Sequence, residues 1–500
     1  MEDTPPRLIN TITGRLFDRN AQISFFKASM VYKELLSLAM KHANFRLEYI
    51  QDVVLAFFRY VMLSHKWEGK EPLLHDIQGK SVYQLNPVDG IRKLQSFCSV
   101  ARNLGYHWAW SDTCCINKNT IIELQESVNS MFVWYRRSAL TIVYLSDVPP
   151  KSKSGALARS VWNSRGWTVQ EFLAPKVVLF YQKDWTLYLE DHSPNHKESA
   201  MIMQELGDAT GISAHALVAF RPEMRGAREK LQWSSKRVTT LQEDIAYSLF
   251  GIFGVHLSPI YGEKKQNALG RLLQEIIAQS GDISCLDWVG KSSEFNSCLP
   301  ASITSYASPP SMLPSLSEDK MKALVSSPQD AGTDKLASQL YTKLDHLTAP
   351  RFAHRRLHLP CIVFIVTEVE PRPGPRFTYA VKADGLHELL ITTEDQLIPF
   401  SPTMPIRQQF LLVHPWAHNL LEQHDFSSES SNLAVDSESD SRTLRLMIRL
   451  EQPFSAFLLA QKWARAREYK RIATDHNIIA QVEGGVWVRN VMDVRTVEIL

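Results

Sequence analysis

The chain has 500 residues, 44% hydrophobic and 22% charged, with 55 Lys and Arg against 53 Asp and Glu for a formal net charge of +2. That balance excludes a global electrostatic attraction to nucleic acid, and the length predicts two or three domains rather than one core. Six cysteines, at 98, 114, 115, 285, 298 and 361, include no C-x-x-C pair, which excludes a disulfide scaffold or a zinc ribbon and predicts a reducing, cytoplasmic setting.

In chain order, the acidic, proline-bearing start Met1-Glu2-Asp3-Thr4-Pro5-Pro6 lacks the basic and apolar regions of a secretion signal. Residues 7–17 alternate as an edge strand with a turn at Gly14, and residues 21–57 carry an apolar stripe at helical spacing. The run Val53–Leu63 contains Arg59 and is too short to cross a bilayer, so no membrane span is expected. Tyr60–Leu63 is an aliphatic, strand-like run that stops in Ser64-His65-Lys66-Trp67, and in open α/β sheets ligands gather beyond such carboxyl ends. A helix follows, with Asn86 as its cap and Pro87 in its first turn, running to Gly105. Trp108–Ser111 is a second strand, ending in Asp112. Thr120 and Glu123 have capping-box spacing ahead of a helix that leads to a strand at Leu140–Leu145, and Val177–Tyr181 is a fourth strand. This alternation predicts an α/β domain, a mainly parallel sheet flanked by helices.

Residues 191–300 are expected to be a helical segment, with a further capping box at Thr240–Glu243. Residues 301–340 form a Ser/Pro-rich linker by composition, and 341–500 a smaller β-rich C-terminal domain in which the acidic, serine-rich stretch 427–442 is a disordered loop.

Three motifs carry chemistry: Leu63-Ser64-x-x-Trp67, Trp110-x-Asp112-x-x-Cys115-Ile116, and Arg165-Gly166-Trp167-x-x-Gln170-Glu171. In this order they resemble the heterokaryon-incompatibility (HET) domain of fungi, here residues 1–190 with an α/β core at about 58–185. The segment Gln232-Trp233-Ser234 through Tyr261-Gly262-Glu263 is similar to the one that commonly follows that core. Lys118-Asn119 departs from the pattern, which more often has Gln-Asp there.

The HET domain in turn resembles the Toll/interleukin-receptor (TIR) fold. That resemblance aligns Ser64 with a first-strand serine, Asp112 with a second-strand aspartate, and Glu171 with the catalytic glutamate of NAD-cleaving members. It implies Glu171 as the catalytic residue with Ser64 and Asp112 beside it, and the motifs add Trp67, Arg165 and Trp167 to Ser64 and Asp112 as expected substrate-binding residues. No metal and no cofactor are expected, NAD entering as a substrate. The function implied is a death-inducing effector of fungal non-self recognition, a form of innate immunity, acting as an NAD glycohydrolase. The alternative is a non-enzymatic signalling module that works through self-assembly or through other incompatibility proteins.

Each residue also has a plainer role. Thr168-Val169-Gln170-Glu171 is itself a capping-box sequence in which Glu171 only receives an amide. Asp112 at a strand end suits a turn cap or a pair with Arg165. Trp67, Trp110, Trp162 and Trp167 suit a core or a crevice wall. Cys114 and Cys115 are expected to be buried and structural, since a nucleophile needs a base such as His65 or His107 beside it. Ser64 lacks the G-x-S-x-G elbow of a hydrolase, and no phosphate-binding glycine loop is present.

Overall fold

A computed structural model describes residues 3–41, 47–311, 331–374, 376–401, 408–416, 446, 448–462, 468–483 and 493–500. The chain divides into two compact units, 1–223 with 237–261, and 224–236 with 262–500. The stretches 312–330 and 427–442, which bear on the expected linker and acidic loop, lie outside the described residues.

The first unit is built on a six-stranded sheet in the order β2-β1-β4-β3-β5-β6. Its strands are β1 (Arg7–Asn10), β2 (Leu16–Asp18), β3 (Tyr60–His65), β4 (Trp108–Trp110), β5 (Leu140–Tyr144) and β6 (Val178–Tyr181). Helices α1 (Arg19–Ala28), α2 (Met30–Lys41) and α3 (Leu47–Phe57) precede β3. Between strands lie α4 (Leu74–Ile77) and α5 (Asp89–Asn103), then α6 (Ile121–Arg137), then α7 (Thr168–Leu173). After β6 come α8 (Ala200–Thr210), α9 (Ala214–Ala219), α10 (Ala227–Ser234), which belongs to the second unit, α11 (Asp244–Tyr247) and α12 (Phe250–Phe253).

β3 is buried at all six positions, as an aliphatic run covered on both faces must be, and it pairs in parallel with both β4 and β5. β5 pairs in parallel with β6. The chain moves from β3 to β4 on one side, then crosses back to β5 on the other, so the strand order reverses around β3, the place where such sheets bind ligands.

The sheet is mixed, so the expectation of a mainly parallel one holds only in part. The parallel part is confined to β4-β3-β5-β6, whereas β1 is antiparallel to both β2 and β4. The 7–17 segment folds at Gly14 (φ +69°) into a hairpin, so β1 is an internal strand and β2 forms the edge. Close helix packing covers the sheet: at Gly251 of α12, any Cβ would collide with the Phe132 side chain of α6.

The second unit contains α13 (Lys265–Ser280), a helix at Ala331–Asp345, and a nine-stranded β structure. Its strands are β7 (Arg351–Ala353), β8 (Arg356–Arg372), β9 (Phe377–Ala383), β10 (Leu389–Thr393), β11 (Phe410–Pro415), β12 (Phe454–Gln461), β13 (Glu468–Arg471), β14 (Ile478–Ala480) and β15 (Asp493–Ile499). This bears out the β-rich C-terminal region. β15 pairs with both β13 and β8, so β8-β11-β12-β13-β15 closes into a ring, and its Ile362, Phe364, Leu412 and Leu458 belong to the unit's buried hydrophobic cluster. Among the described residues no helix is long and apolar enough to cross a membrane.

Candidate functional site

β3 delivers Ser64 as a fully buried side chain at its carboxyl end. The Ser64 hydroxyl donates to Glu171 Oε2 at 2.5 Å and accepts the Trp162 indole N–H at 2.8 Å. Trp162 is fixed in turn by edge-on contacts with Phe172 and Phe180. Glu171 lies in the first turn of α7, partly open to solvent.

Its carboxyl is pushed up from 4.5 to about 8, first by burial and then by the charge of Asp112, against the Ser64 hydrogen bond and the charges of Arg165 and Arg237. Near neutral pH this group is therefore mostly protonated. The native state holds this proton more tightly than the unfolded chain, so its contribution to stability falls as pH rises from about 4.5 to about 8. Unfolding curves at pH 5 and pH 8.5 are expected to show that loss, and Glu171→Gln to flatten it. An unchanged slope in the variant would mean that another group titrates.

Asp112, just past β4, receives His65 Nε2 at 3.1 Å on one oxygen and the Trp67 indole N–H at 2.8 Å on the other. Burial raises its pKa, but the hydrogen bond and charge of His65, the charge of Lys118 and the Trp67 hydrogen bond outweigh that and hold it well below the usual carboxylate range. Lys118 Nζ stands 3.6 Å from the centroid of the Trp67 ring. Burial lowers the Lys118 pKa against the opposing charges of Asp112, Cys114 and Glu71. The loop carrying Trp67 is pinned from α5: buried Lys93 donates to the Lys66 carbonyl at 3.0 Å and pairs with buried Glu71, which also accepts the Glu68 N–H at 2.8 Å.

Behind Glu171, buried Arg237 donates to the Arg165 carbonyl at 3.0 Å and to Thr168 Oγ1 at 2.9 Å. Backbone bonds from Gly166 to Val238 and from Val238 to Ser164 hold the two segments side by side. Gly166 is needed there because a Cβ would run into the Thr239 methyl.

Of the expected site residues, Ser64 and Glu171 are in direct contact. Asp112, bonded to Trp67, and Arg165 are close enough for their charges to act on Glu171. Trp167 turns away, its indole N–H donating to Asp244 at 3.2 Å, and the tryptophan that reaches Ser64 is Trp162. The capping-box role of Glu171 is not what forms. Trp167 is the N-cap, Thr168 Oγ1 bonds the carbonyls of Trp162 and Arg165, and the Glu171 carboxyl goes to Ser64. His65 falls within the Ser64–Trp67 stretch expected to hold a site, whereas Lys118, on the segment between β4 and α6, and Arg237 are additions that the motifs do not signal. Cys114 and Cys115 are free and buried, and the Cys114 thiol is raised well above its ordinary value by the Cys115 hydrogen bond and burial, which disfavours a thiolate at Cys114. Two nearby carboxyl groups pushed in opposite directions, Asp112 anionic and Glu171 protonated, are the arrangement that divides acid from base chemistry.

A family model described as heterokaryon incompatibility protein (HET) matches residues 60–160. The vegetative incompatibility protein HET-E-1 of Podospora anserina is 36% identical over 238 residues, which is 45% of this chain and 17% of that protein. The chain thus spans less than a fifth of the relative's length. No solved structure matches. The family match begins at β3 and stops before Trp162 and Glu171.

Proposed function

The chain carries a heterokaryon-incompatibility domain, and on that premise we propose that it is an effector of fungal non-self recognition and programmed cell death that cleaves NAD at the Ser64–Glu171 site. One observation carries the enzymatic part: a partly accessible carboxyl, raised to about 8, is held by a serine hydroxyl at the carboxyl end of the central parallel strand. The parallel core β4-β3-β5-β6 is what a TIR-like reading of the fold rests on.

In this proposal the free site holds Glu171 neutral, and the arriving nicotinamide cation draws the proton off it, because an opposite charge favours the ionised carboxyl. The C1′–N bond then breaks, its electron pair going to the pyridinium nitrogen to give neutral nicotinamide. Water adds to C1′ and loses a proton, giving ADP-ribose. The Glu171 carboxylate stabilises the positive charge that grows on the ribose. In this proposal Arg165, whose Nε is buried without a hydrogen-bond partner, is the cation that meets the pyrophosphate.

A second reading, a module acting through self-assembly or partner binding in the cytoplasm, draws on a different observation. Met30 and Met40 of α2 and Leu55 of α3 are 66%, 85% and 66% exposed, an apolar surface with no use in catalysis. The deciding experiment incubates the purified full chain with NAD over a range of protein concentrations. Nicotinamide and ADP-ribose are expected in equal amounts. Release no greater than in a protein-free blank at every concentration would leave the assembly reading alone.

A further inference from the structure

We infer that the Trp67 indole and the Asp112 carboxylate form a subsite for a planar organic cation, and that Lys118 fills this subsite in the free protein as an internal competitor. The inference rests on the NAD reading and deepens it, since the nicotinamide ring of NAD is such a cation.

Trp67 is prepared as a platform. Its edge is locked to Asp112 by the 2.8 Å hydrogen bond, its loop is pinned by Lys93 and Glu71, and it remains 39% exposed at the surface. An indole face with a carboxylate at its edge attracts a cation through the ring quadrupole and through charge. A cation is already there, the Lys118 ammonium at 3.6 Å from the ring centroid.

The character of that occupant shows what the subsite suits. An ammonium carries three N–H donors, yet Lys118 Nζ is buried and has no hydrogen-bond partner. Burying unsatisfied donors is costly, so the lysine is held by the ring face and the charge of Asp112 in a place that offers its N–H groups nothing. A cation whose charged nitrogen bears no hydrogen, as in an N-alkylpyridinium, gains the same attractions without that cost. It also stacks a flat ring on the indole, which a lysine tip does not. Lys118 sits on the segment between β4 and α6 with a flexible four-carbon stem, so it can leave when such a ligand arrives.

The test is calorimetric titration of the full chain with 1-methylnicotinamide, a pyridinium cation that contains no bond for the enzyme to cleave. Lys118→Gln and Lys118→Ala are expected to bind it about tenfold or more tightly than the wild type. Lys118→Arg, which keeps a cation over the ring, should bind like the wild type. Uncharged nicotinamide should show little of the gain, and Trp67→Leu added to Lys118→Gln should remove it. Unchanged or weaker binding in whichever of the Gln and Ala variants keeps the wild-type circular dichroism overturns the inference. The assay needs no turnover, and the gain should persist in a Glu171→Gln background. A gain without NAD cleavage by any variant removes the catalytic reading and leaves the subsite; NAD cleavage without a gain removes the subsite alone.

Discussion

Glu171→Gln is expected to abolish NAD cleavage and cell killing while leaving the protein at least as stable as the wild type above neutral pH. Glutamine retains an oxygen to accept the Ser64 hydroxyl, so the link between β3 and α7 survives. What disappears is the charge available to the transition state, and loss of one such electrostatic contribution typically lowers kcat by about 100-fold to 1000-fold. Stability moves the other way. Burial opposes ionisation of this carboxyl, so removing it relieves a cost that grows as pH approaches 8. Thr168→Ala is the control: it takes an acceptor from buried Arg237 and is expected to cost about 1–3 kcal/mol, with the carboxyl in place and part of the activity retained. Urea unfolding, NAD loss and killing at matched expression read all three. Wild-type NAD loss and killing by the glutamine variant would end the catalytic assignment of Glu171.

The largest stability effect is expected at Lys93. Its side chain is 7% exposed and that of Glu71 only 4%, so the pair has given up its water on both sides. Lys93→Met leaves the Glu71 carboxylate buried without its counter-ion, at a cost of about 3–5 kcal/mol. The same change frees the Lys66 carbonyl, and with it the segment that presents Trp67. Lys93→Met combined with Glu71→Leu should recover most of the loss, since a buried pair replaced by apolar groups is often neutral. Urea denaturation of the two variants decides it. A single-variant loss below about 1 kcal/mol would show that the loop is held by something else.

The four parallel strands of the first unit were legible almost to the residue, because Tyr60–His65 and its neighbours are short aliphatic or aromatic runs between polar breaks, whereas residues 7–17 hide two strands. Helix starts were less so. Asn86 and Pro87 suggest a start that comes at Asp89 instead, with extended Val88 as the cap. Two of the Thr-x-x-Glu spacings failed because their glutamates bond elsewhere, and the third because it lies ahead of its helix. Glu123 is taken by the Asn117 N–H and by Arg7, and Glu171 by Ser64, 107 positions away; Thr240 and Glu243 precede α11 altogether. A local capping signal yields when a distant partner competes for the same carboxylate, and the sequence alone does not display the distant partner. The exchange of Trp167 for Trp162 is of the same kind, as is the ring closure by β15.

The first unit is discontinuous: the chain leaves it after Glu223 and returns at Arg237. The returning segment brings the guanidinium that bonds Thr168 and the Arg165 carbonyl, and whose charge acts on Glu171. On the ribosome, a nascent chain thus has Ser64, Asp112 and Glu171 well before it has the arginine that completes their surroundings. Products of interrupted translation that end before Arg237 carry the acidic groups without the finished site. Recombination is constrained in the same way. A gene segment cut at residue 160 lacks β6, Glu171 and Arg237, one cut at residue 223 carries all six strands but not Arg237, and only one that reaches past the returning stretch to residue 261 transmits the whole first unit.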